Sequence, residues 1–236
     1  MGGLFITEVV KKLLLINIGV YFIISVFFPT LAPMLAMHYP FEVPSLLPEQ
    51  QVEFGEYMAT HPDMNIGFMP MQLVTYMFIH ANANHLIMNM IGLMMFGPLV
   101  ESQLGQERFL IYYLLTGFGA LGLHIGLQWY DIHANPALTV VDKFWTAKSS
   151  LVGASGAIFG ITAALGFLMP KAQFSLIFLP MVSFPAWLMV SVYIAIEVYH
   201  VAYRPAHDGV AHWAHLGGAL FGLIILLWWS RGSIFK

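Results

Sequence analysis

The sequence predicts an all-α polytopic membrane protein with six transmembrane helices and a long, partly helical first external loop. Hydrophobic residues make up 59% of the 236 residues and charged residues only 9%, against roughly 25% charged residues in a soluble domain. The mean hydropathy is +0.76. So few charges cannot cover a water-facing surface, which excludes a free cytosolic enzyme and a disordered chain. A formal net charge of −3 gives no basic surface for nucleic acid.

Six apolar stretches approach the roughly 20 residues that an α-helix needs to cross a bilayer. We predict them all as spans of one membrane-embedded domain, residues 1–236 with a core at about 68–228, and no separate soluble domain. The predicted spans are about Leu13–Phe28, Asn84–Ser102, Phe109–Gln128, Ser150 to the residue before Pro170, Phe174–Glu197 and Gly209–Ser230.

The distribution of Lys and Arg predicts that both termini are cytoplasmic, because basic residues concentrate in cytoplasmic loops. The first loop, about Pro29–Asn82, contains neither residue type and is therefore placed outside. Its second half, Phe68–His80, is apolar and aromatic, so we expect short helices there at the outer membrane interface. In this orientation the cytoplasmic basic residues are Lys11, Lys12, Arg108, Lys171, Arg231 and Lys236, and the external ones are Lys143, Lys148 and Arg204.

Polar side chains inside membrane spans are costly and mark functional positions. Ser155 lies in the fourth span, His212 and His215 lie in the sixth, and His85 and Asn89 share one face of the second. All three spans would enter from the outside. At about 1.5 Å per residue, Ser155 and His215 would lie roughly 8–9 Å below the starts of their helices. We therefore expect these groups at one depth.

A serine, a histidine and two hydrogen-bond donors at one depth predict acyl transfer. His215 could remove the proton of Ser155, and His85, Asn89 and a backbone N–H could stabilise the developing oxyanion. No Asp or Glu lies in the spans at that depth, so we expect a Ser–His dyad without a third member. We expect His212 to be interfacial. The absence of cysteine excludes thiol catalysis.

In this order, the same residues resemble the rhomboid family of intramembrane serine proteases over Phe68–Gly222. GASG resembles the family's GxSG motif, which would make Ser155 the nucleophile. AHLGGALFG resembles AHxxGxxxG, which would make His215 the general base. HANANHLIMN resembles the second-helix motif, which would give the oxyanion-stabilising role to His85 and Asn89. GPLVESQLGQERF resembles the family's cytoplasmic turn.

The resemblance implies a bacterial-type, six-helix rhomboid-like bundle in an inner membrane. It implies a serine endopeptidase that cleaves peptide bonds in or next to transmembrane segments of other membrane proteins. The implied partners are transmembrane substrates and the lipid bilayer, without metal, organic cofactor or nucleic acid. Two positions depart from the family pattern. Met71-Gln72 replaces a Trp-Arg pair of the first loop, and Phe159 replaces a tyrosine that stacks on the histidine; we expect that stacking to persist.

Other interpretations remain open at this point. Ser155 could be a small packing residue, His215 a buried structural histidine, and His85 with Asn89 a brace between helices. The chain could then be a non-proteolytic transporter or a factor that binds membrane proteins. A metalloprotease or metal transporter could use His80, His85, His212 and His215, but no HExxH motif occurs and no carboxylate is expected at their depth.

Overall fold

The computed structural model describes residues 6–41, 55, 59–60, 66–176, 179–203 and 210–231. Among these residues, five helices are long and apolar enough to cross a membrane, namely Glu8–Phe27, Ala83–Leu104, Gln106–His133, Ala186–Tyr203 and His212–Arg231. They confirm the predicted helical membrane bundle. Gly209, Arg204 and Lys236, used in the prediction of spans and orientation, lie outside the described residues. The elements are α1 Glu8–Phe27, α2 Leu31–Leu35, α3 Gln72–Thr75, a 3₁₀ turn Tyr76–Phe78, α4 Ala83–Leu104, α5 Gln106–His133, α6 Val140–Lys148, α7 Ser155–Leu168, β1 Gln173–Leu176, β2 Leu179–Pro185, α8 Ala186–Tyr203 and α9 His212–Arg231.

The fourth predicted span is shorter than expected. α7 begins at Ser155 and has 14 residues, which is about 21 Å of helix against roughly 30 Å of hydrocarbon. Residues 150–154, which the prediction included in this span, are not helical. Gly153 has a φ of +115°, and Leu151 pairs as an isolated bridge with Met37 of the first loop. The expectation that Ser155 lies well below a helix start is therefore wrong. His215 likewise lies in the first turn of α9.

The fifth predicted span begins in the wrong place. The strands β1 Gln173–Leu176 and β2 Leu179–Pro185 pair antiparallel, with Phe174 opposite Phe184. Pro180 and Pro185 explain the difference, because proline lacks the N–H that an interior helical position must donate. The helix α8 starts only at Ala186 and continues past Glu197 to Tyr203.

Small residues let α7 lie at the centre of the bundle, in contact with α4, α5, α8 and α9. A side chain at Gly156 would meet Ala120 of α5, and one at Gly218 of α9 would meet the backbone of Gly156. One at Gly222 would meet the backbone of Gly160. The face of α9 that carries Gly218 and Gly222 therefore packs directly on α7.

Gln72 anchors the first loop. Its side chain is fully buried, and its Oε1 accepts hydrogen bonds from the N–H groups of His38 at 3.3 Å and Met69 at 3.1 Å. Its Nε2 donates to the carbonyls of Met34 at 3.0 Å and Gly67 at 3.3 Å. A neutral carboxamide thus ties together two distant parts of the loop. The short helices α2 and α3 agree with the predicted partly helical loop.

Glu101 fastens the opposite end of the bundle. Its carboxylate lies near the end of α4, is buried, and accepts hydrogen bonds from the N–H groups of Val9 at 3.1 Å and Val10 at 3.0 Å. The hydroxyl of Thr7 donates a third. Because the first N–H groups of a helix lack partners within the helix, Glu101 satisfies the start of α1.

Candidate active site

Ser155 and His215 meet where α7 and α9 pack together. The Oγ of Ser155 lies 2.8 Å from Nε2 of His215, although 60 residues separate the two in the sequence. The glycine contacts between the two helices allow this approach, because any larger residue at Gly218 would push α9 away from α7. The pair predicted from the motifs is therefore within hydrogen-bond distance.

Phe159 holds the imidazole of His215 from one face. The two rings are nearly parallel, with 8° between their planes and 4.3 Å between their centroids. Phe159 follows Ser155 by four residues, so both side chains project from one face of α7. The expected stacking is present, and it fixes the plane of the imidazole ring of His215.

His85 and Asn89 face the loop that precedes Ser155. The side chain of Asn82 accepts a hydrogen bond from the N–H of His85 at 2.9 Å and caps α4. A Cβ placed on Gly153 would lie 2.8 Å from Nε2 of His85 and 3.7 Å from Nδ2 of Asn89. The donors of the second span thus lie beside the backbone two residues before Ser155.

Gly153 connects this loop to the rest of the protein. Its N–H donates to the carbonyl of Tyr76 at 2.8 Å, and its positive φ suits glycine because other residues avoid that conformation. Tyr76 is itself buried, and its hydroxyl donates to the carbonyl of Gly117 at 2.8 Å. The loop that precedes Ser155 is therefore held between the first loop and α4.

A carboxylate that the sequence analysis did not assign to the site reaches it from α8. The Oε1 of Glu197 lies 3.0 Å from Nδ1 of His215, and its Oε2 lies 2.6 Å from Nδ1 of His212. The expectation that no carboxylate shares the depth of the histidines is wrong. The late start of α8 at Ala186 is the reason, because it places Glu197 inside the helix instead of at its end. The available signal was that Glu197 is the only charged residue of Ala186–Tyr203.

The other histidines occupy separate positions. His212 contacts Glu197 and stacks on His200, with ring centroids 4.6 Å apart. His80 lies before α4 with its ring 5.2 Å from that of His85. Burial, together with the neighbouring His85, lowers the pKa of His80 to about 4, so its imidazole is neutral near pH 7. His124 lies in α5, and its Nδ1 makes no hydrogen bond among the described residues.

The structure does not gather the four histidines of the metal hypothesis into one ligand set. Within the described ranges, the one group of three or more potential ligands is Glu197, His212 and His215, whose ligand atoms lie within 4.8 Å of one another. These atoms are already joined by the two hydrogen bonds of the carboxylate.

Comparison with known proteins gives one consistent family. A family model described as "Rhomboid domain" matches residues 68–232. The chain is 28% identical over 196 residues to Presenilin-associated rhomboid-like protein A, mitochondrial, of Danio rerio, covering 80% of this chain and 46% of that protein. It is 29% identical over 197 residues to the Homo sapiens protein Presenilin-associated rhomboid-like protein, mitochondrial, covering 80% and 47%.

A plant protein is similar to the same degree. RHOMBOID-like protein 12, mitochondrial, of Arabidopsis thaliana is 30% identical over 189 residues, covering 77% of this chain and 52% of that protein. The chain therefore spans about half the length of the curated relatives it matches. All three relatives carry the word "mitochondrial" in their names, which conflicts with the expected bacterial inner membrane.

Proposed function

The chain belongs to the rhomboid family, and from this membership we propose that it is an intramembrane serine endopeptidase. Its substrates are other membrane proteins, cut in or near their transmembrane segments. One observation carries the proposal: the Oγ of Ser155 lies 2.8 Å from Nε2 of His215. Phe159 stacks on that imidazole, which supports the proposal because a general base must be held in a fixed position beside the hydroxyl.

The proposed reaction proceeds through an acyl-enzyme. Oγ of Ser155 bonds to the carbonyl carbon of the substrate while its proton moves to Nε2 of His215. The C–N bond then breaks, and His215 returns the proton to the leaving amine. Water attacks the resulting ester, again losing a proton to His215, and Ser155 leaves with that proton restored.

Negative charge develops on the substrate oxygen during both attacks. Hydrogen-bond donors already in place stabilise such an oxyanion without reorganisation. We assign this role to Nε2–H of His85 and the side-chain amide of Asn89, because both lie against Gly153. The buried setting of Asn89, with 5% of its surface exposed, strengthens the interaction because it excludes water.

The five long apolar helices identify a multi-pass membrane protein, so transmembrane proteins of the same bilayer are the substrates that can reach Ser155. We propose that these five helices and the shorter α7 are the six spans of one membrane-embedded domain, which places both termini on the cytoplasmic side that the basic residues favour. A reporter fused after Lys236 should be active only on that side. Activity on the opposite side would contradict this orientation.

Cleavage of a model transmembrane substrate by detergent-solubilised protein tests the function. Ser155→Ala is expected to reduce cleavage by at least about 10³-fold, because removing the nucleophile leaves only binding and oxyanion stabilisation. Ser191→Ala is the matched control, since the Ser191 hydroxyl is exposed and, within the described part of the chain, donates only to the carbonyl of Trp187 in its own helix. Equal cleavage by Ser155→Ala and wild type would show that Ser155 is not the nucleophile, and no cleavage by the wild type would favour a non-proteolytic membrane protein.

Gly153→Ala is expected to lower turnover by about 10²-fold, as small displacements of reacting groups do. The new methyl group would strain a backbone at φ +115°, costing about 1–3 kcal/mol, and would press on His85 at 2.8 Å. Gly122→Ala in α5 serves as control, because no described atom other than those of its chain neighbours and its own helix backbone lies within 4 Å of a Cβ there. Turnover and thermal stability are measured for both. Wild-type turnover in Gly153→Ala would contradict the placement of His85 beside the loop.

A further inference from the structure

We propose that Glu197 is a positioning residue that acts on Ser155 through His215, so that the site works as a Ser–His–Glu triad. The inference rests on the proposed protease function. It goes beyond the dyad that the sequence motifs imply, because it recruits a carboxylate from α8, an element that carries none of those motifs.

The hydrogen bond between Glu197 and His215 selects the useful form of the imidazole. An ionised carboxylate can only accept hydrogen bonds. Nδ1 of His215, 3.0 Å from Oε1 of Glu197, must therefore carry the proton. The lone pair is then on Nε2, which lies 2.8 Å from the hydroxyl of Ser155. This is the tautomer that a general base for Ser155 requires.

The same carboxylate stabilises the charged form that appears during the reaction. His215 and Glu197 are buried, with 9% and 7% of their surfaces exposed. When His215 takes the proton of Ser155, a cation forms next to the carboxylate, where the low dielectric strengthens their attraction. The carboxylate therefore favours the transition state over the resting enzyme.

His212 holds the other oxygen of the carboxylate. Its Nδ1 lies 2.6 Å from Oε2 of Glu197, so each oxygen is assigned to one histidine and the carboxyl group cannot turn freely. The ring of His212 is in turn stacked on His200. A buried carboxylate without such partners would be costly, and the two histidines account for its presence in an otherwise apolar helix.

The test compares Glu197→Gln with Glu101→Gln in the same cleavage assay. Both variants neutralise a buried carboxylate, but Glu101 accepts its hydrogen bonds from the start of α1 and lies 16 residues along α4 from His85, about 24 Å. Glu197→Gln is expected to lower kcat by about 10²- to 10⁴-fold with KM little changed, because an amide can donate to Nδ1 and favour the wrong tautomer. Glu101→Gln is expected to lower thermal stability and leave kcat unchanged.

Glu197→Asp keeps the charge on a shorter side chain and should recover part of the lost kcat, which a purely structural role would not predict. His212→Ala should lower kcat less than Glu197→Gln does, because one histidine still holds the carboxylate. If Glu197→Gln does not fold, kcat of Glu197→Asp is compared with kcat of a folded Glu197→Ala. A higher kcat in Glu197→Asp would support the triad, and equal values would contradict it.

Several outcomes would overturn the triad. Wild-type kcat in Glu197→Gln would show that the carboxylate does not act on the base, while the protease function would stand. Activity abolished by a chelator and restored by Zn²⁺ would make Glu197, His212 and His215 a metal site. Wild-type protein that cleaves no substrate would remove the proposed function and the triad with it.

Discussion

His215→Ala is expected to lower kcat by about 10⁴-fold or more, as loss of the base does in serine proteases, whereas His212→Ala should retain appreciable activity. Both residues lie in the first turn of α9 and both contact Glu197. Only His215 also contacts the hydroxyl of Ser155. The two variants are therefore matched in position and in one hydrogen bond, and they differ in the bond that moves the proton.

Turnover of a model transmembrane substrate is measured on protein of verified helical content and thermal stability. A larger loss in His212→Ala than in His215→Ala would move the base to His212 and refute the assignment of His215. Equal losses of turnover would indicate that both substitutions act through Glu197. The contact between His215 and Ser155 would then not contribute to catalysis.

Asn89→Ala should lower kcat by about 10²- to 10³-fold, the usual cost of removing one oxyanion donor. His85→Ala should cost as much or more. Labelling of Ser155 by a fluorophosphonate should slow in parallel, because its tetrahedral adduct places an oxygen where the oxyanion forms. A backbone N–H near Ser155 could also donate to the oxyanion. In that case the loss of kcat in each single variant falls toward about 10²-fold.

Thermal stability separates this role from a brace between helices. Among the residues that the structure describes, the side-chain amide of Asn89 donates only to the carbonyl of His85 in its own helix, at 3.0 Å. Its loss removes no hydrogen bond between helices among the described residues, so stability should fall only modestly. Normal turnover and labelling in both variants would leave Ser155 and His215 without this oxyanion site.

The long spans could be predicted from the sequence because membrane crossing requires a minimum apolar length, which Glu8–Phe27 and Gln106–His133 satisfy without tertiary information. The starts of α7 and α8 could not be predicted in the same way. The start of α7 depends on the left-handed backbone of Gly153. The start of α8 depends on prolines that prevent a helix in a stretch as apolar as its neighbours.

The candidate site was predictable where its residues carry motifs. Ser155 and His215 stand in short glycine-rich patterns, and the structure brings them together. Glu197 carries no motif, and its proximity to His215 depends on how α8 packs beside α9. Gln72 similarly anchors the first loop through backbone groups that no sequence pattern reveals. The roles of both polar residues were missed because their partners come from distant parts of the chain.

Peptide mapping by mass spectrometry after fluorophosphonate treatment tests most directly whether Ser155 is a nucleophile activated by His215. The protein should carry the adduct on Ser155, and labelling should disappear in Ser155→Ala and become very slow in His215→Ala while Ser191→Ala labels normally. An adduct on another serine, or an unlabelled Ser155 in protein that still cleaves its substrate, would contradict the assignment of the nucleophile.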